Sequence, residues 1–254
     1  MKNKVSTFAK SLGLCAVLLC GVSADAEEQV LRVGTEPAFA PFEYIDESNS
    51  ELVGFDIDLI KAVAAAEGYS VELSQMPFDG LIPAVLTGQL EAAIAGFTIT
   101  DERKKRVAFS APYYDAGLGV LVKAELKDSI KNVADLSGHS ICVQIGTSGA
   151  LYAQNDVKDA KVTQFNTSTE TYMELAKGGC DAVINDKPVH EYYLAKTKPQ
   201  NMHMLPEFIT SEQYGIVIGK NDEKTQQIIA SGLKKIQQNG TYNSIYEKWF
   251  GAKK

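Results

Sequence analysis

Short strand patterns alternate with helical patterns along nearly the whole chain, and that alternation is the strongest constraint on its fold. Residues 30–35, 70–75, 92–97, 118–124, 140–144, 162–165, 181–185 and 214–219 carry the apolar or alternating runs of strands. Between and after them, residues 55–67, 79–87, 148–155, 188–195 and 221–238 carry helical spacing, and a last helix holds Tyr242, Ile245, Tyr246 and Trp249. Local punctuation supports these limits. Asp79 is placed to cap one helix and Gly88 to stop it, while Thr167-Ser168-Thr169-Glu170 reads as a capping box whose helix Gly178 and Gly179 end. The pattern predicts an α/β protein with mostly parallel sheets. In such sheets ligands sit outside the carboxyl ends of the strands. Thr98-Ile99-Thr100 and Thr147-Ser148 are hydroxyl-rich turns at such ends, one in each half of the chain.

The first residues are read apart from the fold. Lys2, Lys4 and Lys10 precede an apolar run from Leu12 to Val22, and Ala24-Asp25-Ala26 has the A-x-A form of a cleavage site. Residues 1–26 therefore read as a secretory signal peptide, with lipid attachment at Cys20 the alternative. Beyond the leader lie Cys142 and Cys180, an even pair in an oxidising compartment. They are either bridged or two small buried thiols; counted back from the strand ends at Gln144 and Asp186 they are staggered, which tells against a bridge. With 25 basic against 32 acidic residues and a formal net charge of −7, the chain has no electrostatic footprint for nucleic acid.

Several segments, in matching order and spacing, carry a resemblance to a known family. They are Val33-Gly34-Thr35-Glu36-Pro37-Ala38-Phe39-Ala40-Pro41-Phe42-Glu43-Tyr44, Val53-Gly54-Phe55-Asp56-Ile57-Asp58-Leu59 and Phe78-Asp79-Gly80-Leu81-Ile82-Pro83-Ala84. Ala95-Gly96-Phe97-Thr98-Ile99-Thr100-Asp101-Glu102-Arg103, Gln213-Tyr214-Gly215-Ile216, Asn239-Gly240-Thr241-Tyr242 and Trp249-Phe250-Gly251 complete the set. Together they resemble the periplasmic polar-amino-acid-binding proteins of ABC importers, bacterial solute-binding protein family 3, and most of all the glutamine-binding type. The resemblance implies the two-lobed type II periplasmic-binding-protein fold: two mostly parallel sheets flanked by helices and joined by two crossover hinge strands. Lobe one would hold residues 27–112 and 215–254, lobe two residues 113–214, with hinges at 113–117 and 210–214.

It also implies a site. Arg103 would bond a ligand carboxylate bidentately, although the run Arg103-Lys104-Lys105-Arg106 alone reads as a solvated face. Thr98 would meet the carboxylate and the ammonium, and Gly96 would offer its carbonyl. Asp186 would hold the α-ammonium once the lobes close, or else cap the helix at Lys187-Pro188. Thr147 and Ser148, at a helix start, suit a carboxylate, or Ser148 is a plain N-cap. Phe39 and Phe78 would sandwich the ligand's side chain; Glu36 and Gln144 would face its tip. Three positions depart from the glutamine-binding type, which has lysine at Gln144, histidine at Asn185 and glycine at Ser148.

The implied function is capture of a polar L-amino acid, glutamine first and arginine or lysine next, and its delivery to a membrane permease by a monomeric periplasmic protein. Glutamate is disfavoured because its side chain would face Glu36. No cofactor or metal is expected. An enzyme on the same fold would need a poised acid or base, and His139, His190 and His203 fall in no site motif. A sensor ectodomain is the remaining alternative.

Overall fold

The computed structural model describes Met1 and residues 29–252. The leader, Cys15, Cys20 and the cleavage motif lie outside these residues.

Two five-stranded sheets form the body of the molecule. In the first, Gln29–Thr35 pairs in parallel with Tyr69–Gln75 and with Ala92–Ala93. Val217–Ile218 then runs antiparallel between Ala92–Ala93 and Ala108–Phe109. In the second, Ser140–Gln144 pairs in parallel with Lys161–Phe165 and Ala182–Asp186, and Leu118–Lys123 and Met202–Met204 close the sheet antiparallel. Parallel pairing is thus confined to three strands of each sheet, the ones joined by crossover helices. The fold is the expected two-lobed α/β arrangement, with buried strand residues such as Val33, Ile141 and Val183 fully enclosed.

Between the sheets, Tyr114–Ala116 and Glu212–Tyr214 run side by side as an antiparallel ribbon. Aromatic rings pack around it. Tyr214 stacks on Tyr114 at 5.6 Å and meets Phe42 edge-on at 5.1 Å. The last helix, Thr241–Phe250, lays Phe250 against Phe42, Phe55 and Tyr114. Its Tyr242 hydroxyl donates to the Tyr113 carbonyl at 2.6 Å, which ties this helix to the crossover.

Local signals hold where the capping group is a sequence neighbour. Thr167 and Glu170 exchange both bonds of the capping box, and Gly178 ends that helix in the left-handed region at φ 84°. Asp79 does not cap: its helix starts one residue earlier, Phe78–Leu86, behind Pro77, with no side-chain cap. The strand expected over 92–97 is only Ala92–Ala93, and the one over 214–219 breaks into Glu212–Tyr214 and Val217–Ile218.

Cys142 and Cys180 form a disulfide, with Cα atoms 6.0 Å apart. The stagger argument fails because Cys180 sits in the turn before its strand. There the Asp181 N–H donates to the Ser140 carbonyl and brings the turn alongside Cys142.

Candidate functional site

Arg103 lies in a single-turn helix, Asp101–Arg106, whose N-cap Thr100 accepts from the Arg103 N–H. Lys104, Lys105 and Arg106 are exposed, but the Arg103 side chain turns inward. Its guanidinium lies 5.5 and 5.4 Å from the ring centres of Phe78 and Phe97, which stack on each other at 4.5 Å. Nη1 donates to the Thr98 carbonyl at 2.8 Å, and Nη2 reaches the Gly146 carbonyl of the second sheet's side at 3.0 Å. Burial pushes its pKa down to about 10, against the pull of the Glu212 and Asp186 charges, so it stays a cation at neutral pH.

Asp186 ends the strand Ala182–Asp186 and is 4% exposed. It is the N-cap residue of the helix Lys187–Thr197 by position, but its side chain makes no capping bond. The carboxylate instead accepts the Tyr214 hydroxyl at 2.7 Å. Burial and the nearby Glu212 charge push its pKa up to about 7, opposed by Tyr214 and Arg103. Thr147, not Ser148, is the N-cap of the helix Ser148–Asn155 and accepts from the Ala150 N–H. The chain reaches this helix through Gly146 at φ 76°; a Cβ there would stand 3.3 Å from Asp79 of the other lobe.

Gly96 needs its left-handed φ of 55° and its lack of a side chain, because a Cβ would lie 2.7 Å from the Phe39 ring. Its N–H donates to Asp56 at 2.9 Å, and Tyr113 donates to the same carboxylate oxygen at 2.7 Å. Behind Asp56 lies Glu43, fully buried, pushed well above the carboxylate range by burial and by the Asp56 charge. Keeping Glu43 neutral leaves one negative charge, that of Asp56, in this apolar shell.

Phe39, Phe78, Gly96, Thr98, Arg103, Gln144, Thr147, Ser148 and Asp186 line one small, nearly closed cavity, together with Ala95. Glu36 stands one step away. It is 3% exposed and lines the adjoining groove with Pro37, Gln75 and Asn166. Burial pushes its pKa up to about 7, opposed by the Gln144 amide and the Ala38 N–H.

Sequence reasoning missed Glu212. From the crossover ribbon its Oε2 accepts Thr98 Oγ1 at 2.7 Å and Ser148 Oγ at 2.9 Å, while Oε1 accepts Thr210 Oγ1 at 3.0 Å. One carboxylate thus joins both walls of the cavity to the hinge. Because Thr98 and Ser148 spend their protons on Glu212, their remaining lone pairs suit a cation. Phe97 and Tyr214 also escaped notice as site residues. Among the described residues no cluster of His, Cys, Asp and Glu is grouped to hold a metal ion.

Comparison with known proteins gives the family. A family model described as bacterial extracellular solute-binding proteins, family 3, matches residues 31–252. A probable histidine-binding protein of Neisseria gonorrhoeae is 35% identical over 231 residues, 87% of this chain and 83% of that protein. The ABC transporter arginine-binding protein 1 of Escherichia coli (strain K12) is 32% identical, covering 95% of this chain and 99% of that one. An ancestral arginine-binding protein, solved bound to arginine, is 42% identical with a TM-score of 0.83, covering 88% of this chain and 99% of its own. Solved bound to glutamine, the same kind of protein scores 0.82. The chain belongs to the bacterial extracellular solute-binding proteins, family 3, and has their two-lobed α/β fold.

Proposed function

We propose that this protein captures a free L-α-amino acid between its lobes and hands it to the membrane permease of an ABC importer. The observation that carries the reading is the pairing of opposite charges across one enclosed cavity: Arg103 from one lobe and Asp186 from the other. An α-amino acid presents a carboxylate and an ammonium on the same carbon, and this pair matches both. Residues 27–112 and 215–254 form one jaw and 113–214 the other. Arg103 and the N–H groups at Thr147 and Ser148 take the carboxylate. Asp186, the Gly96 carbonyl and the Thr98 hydroxyl take the ammonium. The leader at residues 1–26 sends the protein out of the cytoplasm, and it works as a monomer in the periplasm.

The resemblance ranks glutamine ahead of arginine and lysine. The site argues for the reverse order. Phe39 and Phe78 line the cavity with apolar ring surface, and the buried Glu36 lines the adjoining groove. A guanidinium gains both a counter-charge and cation–π attraction there, whereas a carboxamide gains neither. The arginine- and histidine-binding relatives support a basic ligand.

A thermal-shift screen of ligand-stripped protein against all the common amino acids tests the proposal. A ligand at a hundredfold excess over its Kd stabilises the folded state by ~2.7 kcal/mol. Arginine should give the largest shift. A larger shift with glutamate would remove Glu36 from the site, and no shift with any amino acid would overturn the whole reading.

A further inference from the structure

We propose that Glu212 makes the cleft select a free α-ammonium: by holding the hydroxyl proton of Thr98 it leaves that hydroxyl able only to accept inside the cavity. Glu212 is then a specificity-determining positioning residue for the amino-acid capture proposed above, and this inference rests on that reading.

Glu212 does not line the cavity, yet Thr98 and Ser148, which do, are both bonded to it. It stands on the crossover strand Glu212–Tyr214, opposite Ala116 of the other crossover. Thr98 reaches it from one lobe and Ser148 from the other, so Oε2 takes a donor from each wall, at 2.7 and 2.9 Å. Oε1 accepts Thr210 Oγ1 at 3.0 Å, and Thr210 Oγ1 in turn accepts the Leu118 N–H at 2.9 Å. The carboxylate is thus held at both oxygens, along its own ribbon and across the cleft.

Proton counting gives the sense of the site. A hydroxyl has one proton and two lone pairs, and a carboxylate only accepts. Thr98 is 5% exposed, so solvent does not compete for its proton. Ser148 Oγ lies 3.3 Å from Thr98 Oγ1 as well as 2.9 Å from Glu212. Whichever of the two it donates to, neither hydroxyl keeps a proton for the cavity. The Arg103 guanidinium bonds the Thr98 carbonyl, not this hydroxyl, and leaves its lone pairs untouched. What Thr98 Oγ1 offers a ligand is therefore a lone pair, strengthened because an O–H bonded to a carboxylate is polarised into a better acceptor.

An α-ammonium brings three N–H donors and finds acceptors in Thr98 Oγ1, the Asp186 carboxylate and the Gly96 carbonyl. An α-oxo acid sets an oxygen against these acceptors, and a des-amino acid leaves them without a donor. Either way buried polar groups stay unpaired, which is disfavoured.

Calorimetry with three pairs of probes reads this preference as an affinity ratio, the weaker member being measured by displacement of the stronger. The pairs are arginine against δ-guanidinovaleric acid, histidine against imidazolepropionic acid, and glutamine against glutaramic acid, each acid lacking only the α-ammonium. In Glu212→Gln the amide can donate to Thr98, which frees the hydroxyl proton to turn into the cavity. For each amino acid that the wild type binds, the ratio should fall about tenfold through loss of amino-acid affinity, with the des-amino acid held within about threefold. An unchanged ratio, or equal weakening of both members, overturns the inference and leaves capture standing. Two further variants separate a relay through Thr98 from general loosening. Thr210→Val removes the bond at Oε1, away from the cavity, and should keep the ratio within about threefold; a tenfold fall there would assign the effect to the hinge and overturn the role. In a Thr98→Val background, Glu212→Gln should change the ratio less than about threefold; a further tenfold fall would refute action through Thr98. A wild type that binds no amino acid fails capture itself, and this inference falls with it.

Discussion

Affinity for a basic amino acid should fall steeply between pH 7.5 and 5.5, because two buried carboxyls have to be ionised to hold it. Asp186 and Glu36 are each pushed up to about 7, mainly by burial, so both are about half protonated in the free protein at neutral pH. A bound ammonium and guanidinium favour the charged forms and pull both values down. Binding therefore releases protons, and it weakens as pH drops through 7. For one carboxyl with a free-state pKa of about 7 and a bound-state value well below 5.5, the apparent affinity falls about 25-fold from pH 7.5 to 5.5, or about 1.9 kcal/mol. Two such groups give about 600-fold for arginine. Glutamine needs only Asp186 ionised, since a protonated Glu36 still bonds a carboxamide, so its loss stops near 25-fold. Calorimetric titration of both ligands at pH 5.5, 6.5 and 7.5, repeated in buffers of different ionisation enthalpy, reads the affinities and the protons released. More than one proton released per arginine at pH 6.5 is the expected result. Affinities that stay level across this range would refute the placement of both carboxyls against the ligand's cations.

Other expectations follow from single contacts. Arg103→Ala should weaken binding by ~2–5 kcal/mol with the circular dichroism spectrum unchanged, because the side chain's bonds go to backbone carbonyls and not to a structural ion pair. Asp186→Asn should reduce the compaction that small-angle scattering detects on adding ligand; full compaction at saturation would remove Asp186 from closure. Glu212→Gln should cost about 1–2 kcal/mol of ligand affinity, since charge-assisted bonds from Thr98 and Ser148 become neutral ones. Reducing the Cys142–Cys180 bridge, which spans 38 residues, should lower the unfolding free energy by ~2–4 kcal/mol in urea melts. Two free thiols in the unreduced protein by mass spectrometry would contradict the bridge.

What the sequence reveals depends on how far apart the partners lie. The strand Ser140–Gln144 and the helix Ser148–Asn155 are legible to the residue, because their apolar runs are short and their stop signals adjacent. The capping box at Thr167 is legible for the same reason. Misread boundaries cluster at the cleft. The expected strand over 92–97 ends at Ala93 because Gly96 turns left-handed and Thr98 bridges to Tyr214, bringing the backbone out of the sheet and into the cavity wall. Its partner over 214–219 breaks at Gly215, whose N–H donates to the Phe97 carbonyl and where a Cβ would meet Ile99 at 2.9 Å.

Arg103 shows the same division within one turn of helix. Charge patterning assigns all of Arg103-Lys104-Lys105-Arg106 to solvent, and it holds for the last three. It fails at Arg103 because the two stacked rings that draw the guanidinium inward, Phe78 and Phe97, are not its helix neighbours. Only the motif around Thr98 marks it. Glu212 and Asn185 have no such marker. The carboxylate of Glu212 finds Ser148 and Thr98 at separations of 64 and 114 residues, and the amide of Asn185 finds Ser168 at 17. A capping pair closes inside a single helical turn, where spacing alone identifies it. A buried network closes only after the lobe has folded. Arg103 and Asp186 are therefore legible from local motifs in the sequence, while the hydrogen bonds that join Glu212 and Asn185 to their partners exist only in the folded chain.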